Sequence, residues 1–161
     1  MTIWPSDYSQ AWTLAAPVER TGVGLHSGGQ ARLRLEPSEL PGFRVGWLDA
    51  PQLGLTALHP DQVCETQLCT ALALGERRLA TVEHLLAALA GVGITAAVIL
   101  VEGAEVPLLD GSAQPWVEAI AEAGLRLYKV GLSFPLETTL RFVRAAATFS
   151  ASSGLSFCSA W

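Results

Sequence analysis

Glu83 and His84 are neighbours at the head of a run, Leu85 to Gly91, whose Leu85, Ala88 and Leu89 recur at helical spacing. A carboxylate that takes a proton, beside an imidazole that can hold a metal, is the equipment for activating water. Successive helical positions point about 100° apart, so the two flank one site at a helix start. Free backbone N–H groups there favour an anion or a polarised oxygen nearby. A solvated glutamate and a partly buried histidine at a helix end would carry the same letters. Two other stretches hold chemistry-bearing types. Gly22 to Gly29 places four glycines in eight residues around His26, a loop that lets backbone approach a ligand or simply turns at positive φ. No Gly-Lys-Ser/Thr follows, so it is not a Walker loop. Asp110-Gly111 offers a second carboxylate, or an ordinary turn pair. Cys69 alone reads as a small buried hydrophobe, and His59-Pro60-Asp61 as a loop with no assigned role.

These groups need elements to position them. The stretch 77–91 reads as a helix that Thr81 can cap and Gly91 can end. Before it, Trp12 to Val18 reads as a first strand stopping at Glu19-Arg20-Thr21. Ala31, Leu33 and Leu35 alternate with charged residues as a half-buried strand up to Pro37. Phe43–Leu48 and Leu53–Leu58 read as two short strands, and Glu65–Leu74 as a third strand-like run, with Cys64 and Cys69 on opposite faces. After the helix, Ile94–Val101 is a buried strand and 102–107 a loop. A second helix follows with Ser112 as N-cap, Pro115 in its first turn, and Trp116, Val117, Ile120 and Ala121 as its apolar face, ending at Gly124. Leu125–Leu132 reads as a strand, and the end at Trp161 as either a terminal strand or a frayed tail.

The chain has 161 residues, enough for one domain with a real core. With 50% hydrophobic and 16% charged residues it is not a disordered polypeptide. A net charge of −5 and a pI near 5.1 give no reason to expect nucleic acid. Three cysteines, Cys64, Cys69 and Cys158, do not suggest a disulfide framework and favour a reducing, cytoplasmic compartment. The first residues, Met1 to Tyr8, lack the pattern of a signal peptide. Leu85–Val101 is uncharged, but Gly91-Val92-Gly93 interrupts it and its period changes there. A helix, a turn and a strand explain it better than a transmembrane segment, and a soluble protein is expected.

Four stretches together carry a resemblance: Thr21-Gly22-Val23-Gly24-Leu25-His26-Ser27-Gly28, Thr66-Gln67-Leu68-Cys69-Thr70, Thr81-Val82-Glu83-His84-Leu85 and Leu109-Asp110-Gly111-Ser112-Ala113. In order and spacing they resemble the first half of the zinc-dependent UDP-3-O-acyl-N-acetylglucosamine deacetylases of lipid A biosynthesis in Gram-negative bacteria. The resemblance implies an α+β two-layer sandwich, a sheet covered by two helices, over residues 12–124, with 1–11 as an irregular lead-in and 125–161 as a non-matching tail. It implies a hydrolase that removes acetate from the sugar 2-amino group of UDP-3-O-acyl-N-acetylglucosamine, with Zn2+ as cofactor. By motif position His84 is a metal ligand and Glu83 the general base, and Asp110 supports the catalytic site. His26 lies near the substrate cleft, and Leu68 and Cys69 border the channel for the acyl chain.

The sequence departs from that family in one respect. A catalytic zinc takes three protein ligands and a water, and the resemblance implies that the other two, a His and an Asp four residues apart, come from a second domain. No His-x-x-x-Asp follows His84, and the histidines are His26, His59 and His84. A missing second domain is therefore expected, as from a truncated or frame-shifted gene, and the zinc site is expected to be incomplete in this chain. The alternatives are a non-catalytic remnant that weakly binds nucleotide sugar or acyl chain, and an unrelated α+β interaction module.

Overall fold

The computed structural model describes residues 4–128. The expectations for the far side of Leu125–Leu132 and for the tail up to Trp161 lie outside the described residues, apart from residues 125–128. Ten strands and two helices follow in the order β1 (Trp12–Leu14), β2 (Val18–Val23), β3 (Gln30–Glu36), β4 (Gly42–Trp47), β5 (Thr56–Ala57), β6 (Val63–Glu65), β7 (Ala71–Leu74), β8 (Arg77–Leu79), α1 (Glu83–Val92), β9 (Ala96–Glu102), α2 (Gln114–Ala123) and β10 (Leu125–Leu127). The main sheet runs β2-β3-β9-β4-β5. β9 is antiparallel to β3 and parallel to β4, so the sheet is mixed. β6, β7 and β8 form an antiparallel meander, and β1 pairs with β10. The two helices pack on each other, and α2 also lies against β2. The α+β sandwich expected from the sequence is the fold.

The patterning explains most of it. On β3, Ala31, Leu33 and Leu35 are buried and alternate with more exposed residues, so one face goes to the core. β9 occupies the sheet's middle and buries Ala96, Ala97, Ile99 and Val101, its β-branched residues suiting a pleated interior. α1 buries Leu85, Leu86, Ala88, Leu89 and Val92, and α2 buries Trp116, Ala119, Ile120 and Ala123 at helical spacing. These side chains form one cluster with Leu33, Leu35, Val45 and Trp47.

Several boundaries differ from expectation, each for a local reason. The strand expected over Trp12–Val18 is broken after Leu14, because the Ala15 and Ala16 amides turn to the carbonyls of Gly124 and Ala123 and Pro17 has no N–H to give. Glu19-Arg20-Thr21 is not its end; these residues lie inside β2, paired with β3. The expected strand over Leu53–Leu58 shrinks to β5 behind a 3-10 turn at Pro51–Leu53. Glu65–Leu74 splits into β6 and β7 around the loop 66–70, so Cys64 and Cys69 do not share a strand. Residues 77–82 are not helical: β8 takes Arg77–Leu79, and α1 starts at Glu83. Thr81 does not cap it. The helix ends at Gly93 and not Gly91. Gly93 adopts φ 91°, and its N–H and that of Ile94 close on the carbonyls of Ala90 and Leu89, a Schellman turn. Ser112 does not occupy the α2 cap position, which Ala113 takes, yet its hydroxyl still accepts from the Gln114 amide at 3.1 Å. Gly124 ends α2 as expected. Ala121 faces solvent, its expected place on the apolar face taken by Ala119 and Ala123.

The core and the surface ion pairs contribute on different scales. Leu89 is fully buried, and Leu89→Ala is expected to cost about 3 kcal/mol of unfolding free energy. Arg77 makes a bidentate pair with Asp49 at 2.7 and 2.9 Å and stacks over Trp47 at 4.1 Å. The pair is partly open to water, so Arg77→Gln is expected to cost under about 1 kcal/mol. Denaturant melts of the two variants check the ranking.

Candidate active site

The start of α1 is fixed by two loops. Glu83 Oε2 accepts from the Thr70 amide at 3.0 Å, and the Val82 amide donates to the Thr70 carbonyl. The 66–70 loop and the Glu83-His84 pair, far apart in the chain, are thereby one unit. Glu83 and His84 are both half-buried, in the first turn of a helix that has no side-chain cap. That leaves first-turn N–H groups without a side-chain cap beside an acid and an imidazole.

Asp110 stands in the turn before α2, exposed. Its Oδ1 accepts from the Ser112 amide at 2.9 Å and the Ser112 hydroxyl at 2.8 Å, and these bonds hold its carboxyl below the usual range, with a smaller contribution from the charge of His84. The structure therefore brings Asp110 and His84 within electrostatic reach of each other. Leu109, just before it, is one of two non-glycine residues at positive φ among the described residues, at 58°. The other is Thr81 at 59°, two residues before Glu83. A β-branched residue in that region is strained. Both such positions among the described residues adjoin the candidate site.

The residue that sequence reading missed is Glu105. It sits in what reads as an unremarkable loop, Glu102 to Pro107, but is 3% exposed. Its Oε1 accepts from the Thr81 hydroxyl at 2.6 Å and the His26 amide at 3.1 Å. Its Oε2 accepts from the Ser27 amide at 3.0 Å and the Ser27 hydroxyl at 2.8 Å. Burial would raise the Glu105 carboxyl, but these four donors outweigh it and hold the pKa at about 2. Gly24 explains one of the glycines in this loop: a Cβ there would lie 2.2 Å from Glu105 Oε2 and 2.4 Å from Ser27 Oγ. A glutamate in a loop next to Val106-Pro107 gives no periodic signal, so only the paired requirement of Gly24 and Ser27 could have pointed to it.

The other expected residues fall in different surroundings. His26 enters the network through its backbone amide, and the residue itself is exposed. Leu68 is 76% exposed, whereas Cys69 beside it is buried, so Leu68 is the member of that pair with an apolar surface to offer a ligand. Cys64 lies on β6, its thiol directed at the Ala71 carbonyl. Among the described residues no group of three or more His, Cys, Asp or Glu side chains could hold a metal. His84 and Asp110 do not by themselves make a catalytic zinc centre, which needs three protein ligands. Among the same residues, no helix is long and apolar enough to cross a membrane.

An acid and an imidazole together at a helix mouth, carried on an α+β sandwich, are groups able to activate water. A family model, LpxC: UDP-3-O-acyl N-acetylglycosamine deacetylase, matches residues 11–152, and the chain belongs to that family. It is similar to the UDP-3-O-acyl-N-acetylglucosamine deacetylase of Trichormus variabilis, 48% identical over 114 residues, which are 70% of this chain and 41% of the relative. The enzymes of that name from Shewanella loihica and Anaeromyxobacter are 43% and 46% identical over 71% and 74% of the chain, and 38% and 39% of their own lengths. The chain thus spans about two fifths of the length of these relatives.

Glu105 links this site to acid stability. Its pKa lies below the ordinary 4.5, so between pH 4.5 and about 2 the unfolded chain binds more protons and stability rises with pH. The contribution is present above pH 4.5 and lost as pH falls towards 2, on the order of 3 kcal/mol in full. Glu105→Gln is expected to flatten the acid limb of the stability curve across that window, measured by denaturant unfolding at stepped pH. Gly24→Ala is expected to destabilise by about 2 kcal/mol, because it displaces a carboxylate held by several donors.

Proposed function

We propose that this chain supplies the acid–base half of a deacetylase acting on UDP-3-O-acyl-N-acetylglucosamine, in the cytoplasmic pathway to lipid A. One observation carries the reading: the Glu83 carboxylate, oriented by the Thr70 amide at 3.0 Å, stands beside His84 at the open start of α1. The relatives' name supplies the substrate and the reaction, hydrolysis of the amide between acetate and the sugar nitrogen.

Glu83 serves as the base. With Oε2 held by Thr70, its second oxygen takes a proton from water as that water attacks the acetyl carbonyl, and the same carboxyl then returns a proton to the departing sugar amine. Acetate and the free amine are the products. Asp110, pinned by Ser112, remains ionised and supports the site as a second carboxylate. His26 and its glycine loop lie near the substrate cleft, and Leu68, with the buried Cys69 behind it, borders the channel for the acyl chain. His84 is the metal ligand this segment offers, with Zn2+ as the cofactor, and the described residues do not complete the ligand set. Residues beyond those described have to supply the rest. That same incompleteness favours a second reading, in which the chain alone is non-catalytic and only binds nucleotide sugar or acyl chain weakly.

The test combines the purified chain with the separately produced part of the Trichormus variabilis relative that it does not match, and measures acetate release and bound metal. Turnover is expected from the mixture and not from the chain alone. Glu83→Gln is expected to lower kcat by about 10²–10⁴-fold, and His84→Ala to abolish metal-dependent turnover. An inactive mixture with intact folding would favour the binding-only reading, and stoichiometric zinc with turnover from the chain alone would overturn the idea that its site is incomplete.

A further inference from the structure

Two parts of the candidate site are far apart in sequence, the glycine loop that carries His26 and the start of α1 that carries Glu83 and His84. They meet on one carboxylate. The His26 amide and both donors of Ser27 reach Glu105 from one side, at 3.1, 3.0 and 2.8 Å, and the Thr81 hydroxyl reaches it from the other at 2.6 Å. We propose that Glu105 is a positioning residue that couples the His26 loop to the start of α1 and so fixes where Glu83 and His84 stand relative to that loop. The role rests on the reading that Glu83 and His84 do the chemistry, but the coupling itself needs no substrate.

Three features argue for a built coupler over a chance buried acid. First, the backbone on either side of Glu105 is tied to the chain just ahead of α1: the Ala80 amide donates to the Ala104 carbonyl, and the Val106 amide donates to that of Ala80, each at 3.0 Å. Thr81 therefore leaves a pinned segment, and its hydroxyl bond to Glu105 holds it at φ 59°, the turn that aims the chain into an uncapped helix. A glycine would reach that φ without strain but would bring no hydroxyl. Second, the loop is shaped around the carboxylate, since Gly24 leaves no room for a Cβ between Glu105 and Ser27. Third, each carboxylate oxygen takes two donors, one of them an N–H. An amide in place of the carboxyl turns an NH2 group against such a donor at one of the two oxygens, so glutamine cannot substitute.

The coupling predicts that a change on one side is felt on the other. Ser27 is exposed, and Ser27→Ala removes the hydroxyl bond to Glu105, and with it the acceptor of the Gly29 amide at 3.2 Å inside the same loop, without touching the core. In the full chain, with no substrate or metal, Ser27→Ala is expected to shift the backbone resonances of Thr81 and Glu83. Thr81→Val is expected to shift those of His26 and Ser27, and to speed exchange of their amides by about tenfold. Thr81→Ser, which keeps the hydroxyl, is expected to restore them, and Glu105→Asp to restore them in part where Glu105→Gln does not. A purely structural Glu105 would lower the melting temperature without this reciprocal, hydroxyl-dependent response. Shifts confined to residues 24–29 in Ser27→Ala and to residues 80–83 in Thr81→Val would overturn the proposal. Since no turnover is measured, failure of the deacetylase reading would leave this result standing, and turnover without cross-loop shifts would remove the coupling alone.

Discussion

A carboxylate survives burial only when donors replace the water it gives up. Glu105 has four of them, from three residues on two separate loops. The cost of taking the charge from water is offset only while all three residues hold their places. Two of the bonds come from hydroxyls that rotate to suit, at 2.6 and 2.8 Å, and two from amides at ordinary length, so the group is well solvated by protein. The consequence runs in both directions: the loops define the carboxylate's pocket, and the carboxylate defines the loops. The segments that carry His26 and Glu83 lack regular strand pairing to one another, and this shared acceptor stands in for it.

The rest of the molecule makes such a loop-built site affordable. β9, paired on both sides, and the two helices behind the sheet form a cluster of fully buried aliphatic groups around Leu33, Leu35, Ile99, Leu89 and Ile120. Burial of apolar area is the largest stabilising contribution in a domain of this size. Ion pairs such as Arg20 with Glu122 or Arg32 with Glu102 lie in water and add little. A rigid sandwich carries strained residues at its rim, Thr81 and Leu109, which a looser framework would relax.

How much of this could be read from the letters follows from the range of the interactions. Alternation on β3 and the helical spacing of α2 are local, and they placed those elements nearly as observed. The start of α1 was legible only in part. Val82 onward has helical periodicity, but Arg77-Arg78-Leu79 is pulled into the meander by pairing with β7, a partner that periodicity cannot see. Thr81 looked like a cap because threonine suits that role; its hydroxyl is instead engaged by a glutamate 24 residues later. The four motifs marked out His26, Glu83, His84 and Asp110 by resemblance. Glu105 needed the fold, because nothing in Gly103-Ala104-Glu105-Val106 announces a buried charge.

One feature of the main sheet bears on how the chain behaves in company. Among the described residues its borders are β5, two residues long, and β2, whose Glu19 and Arg20 carry opposite charges. A stubby border and a charged one are poor templates for a stranger's backbone. Those two borders of the main sheet thus resist growing sideways into fibrils or ribbons.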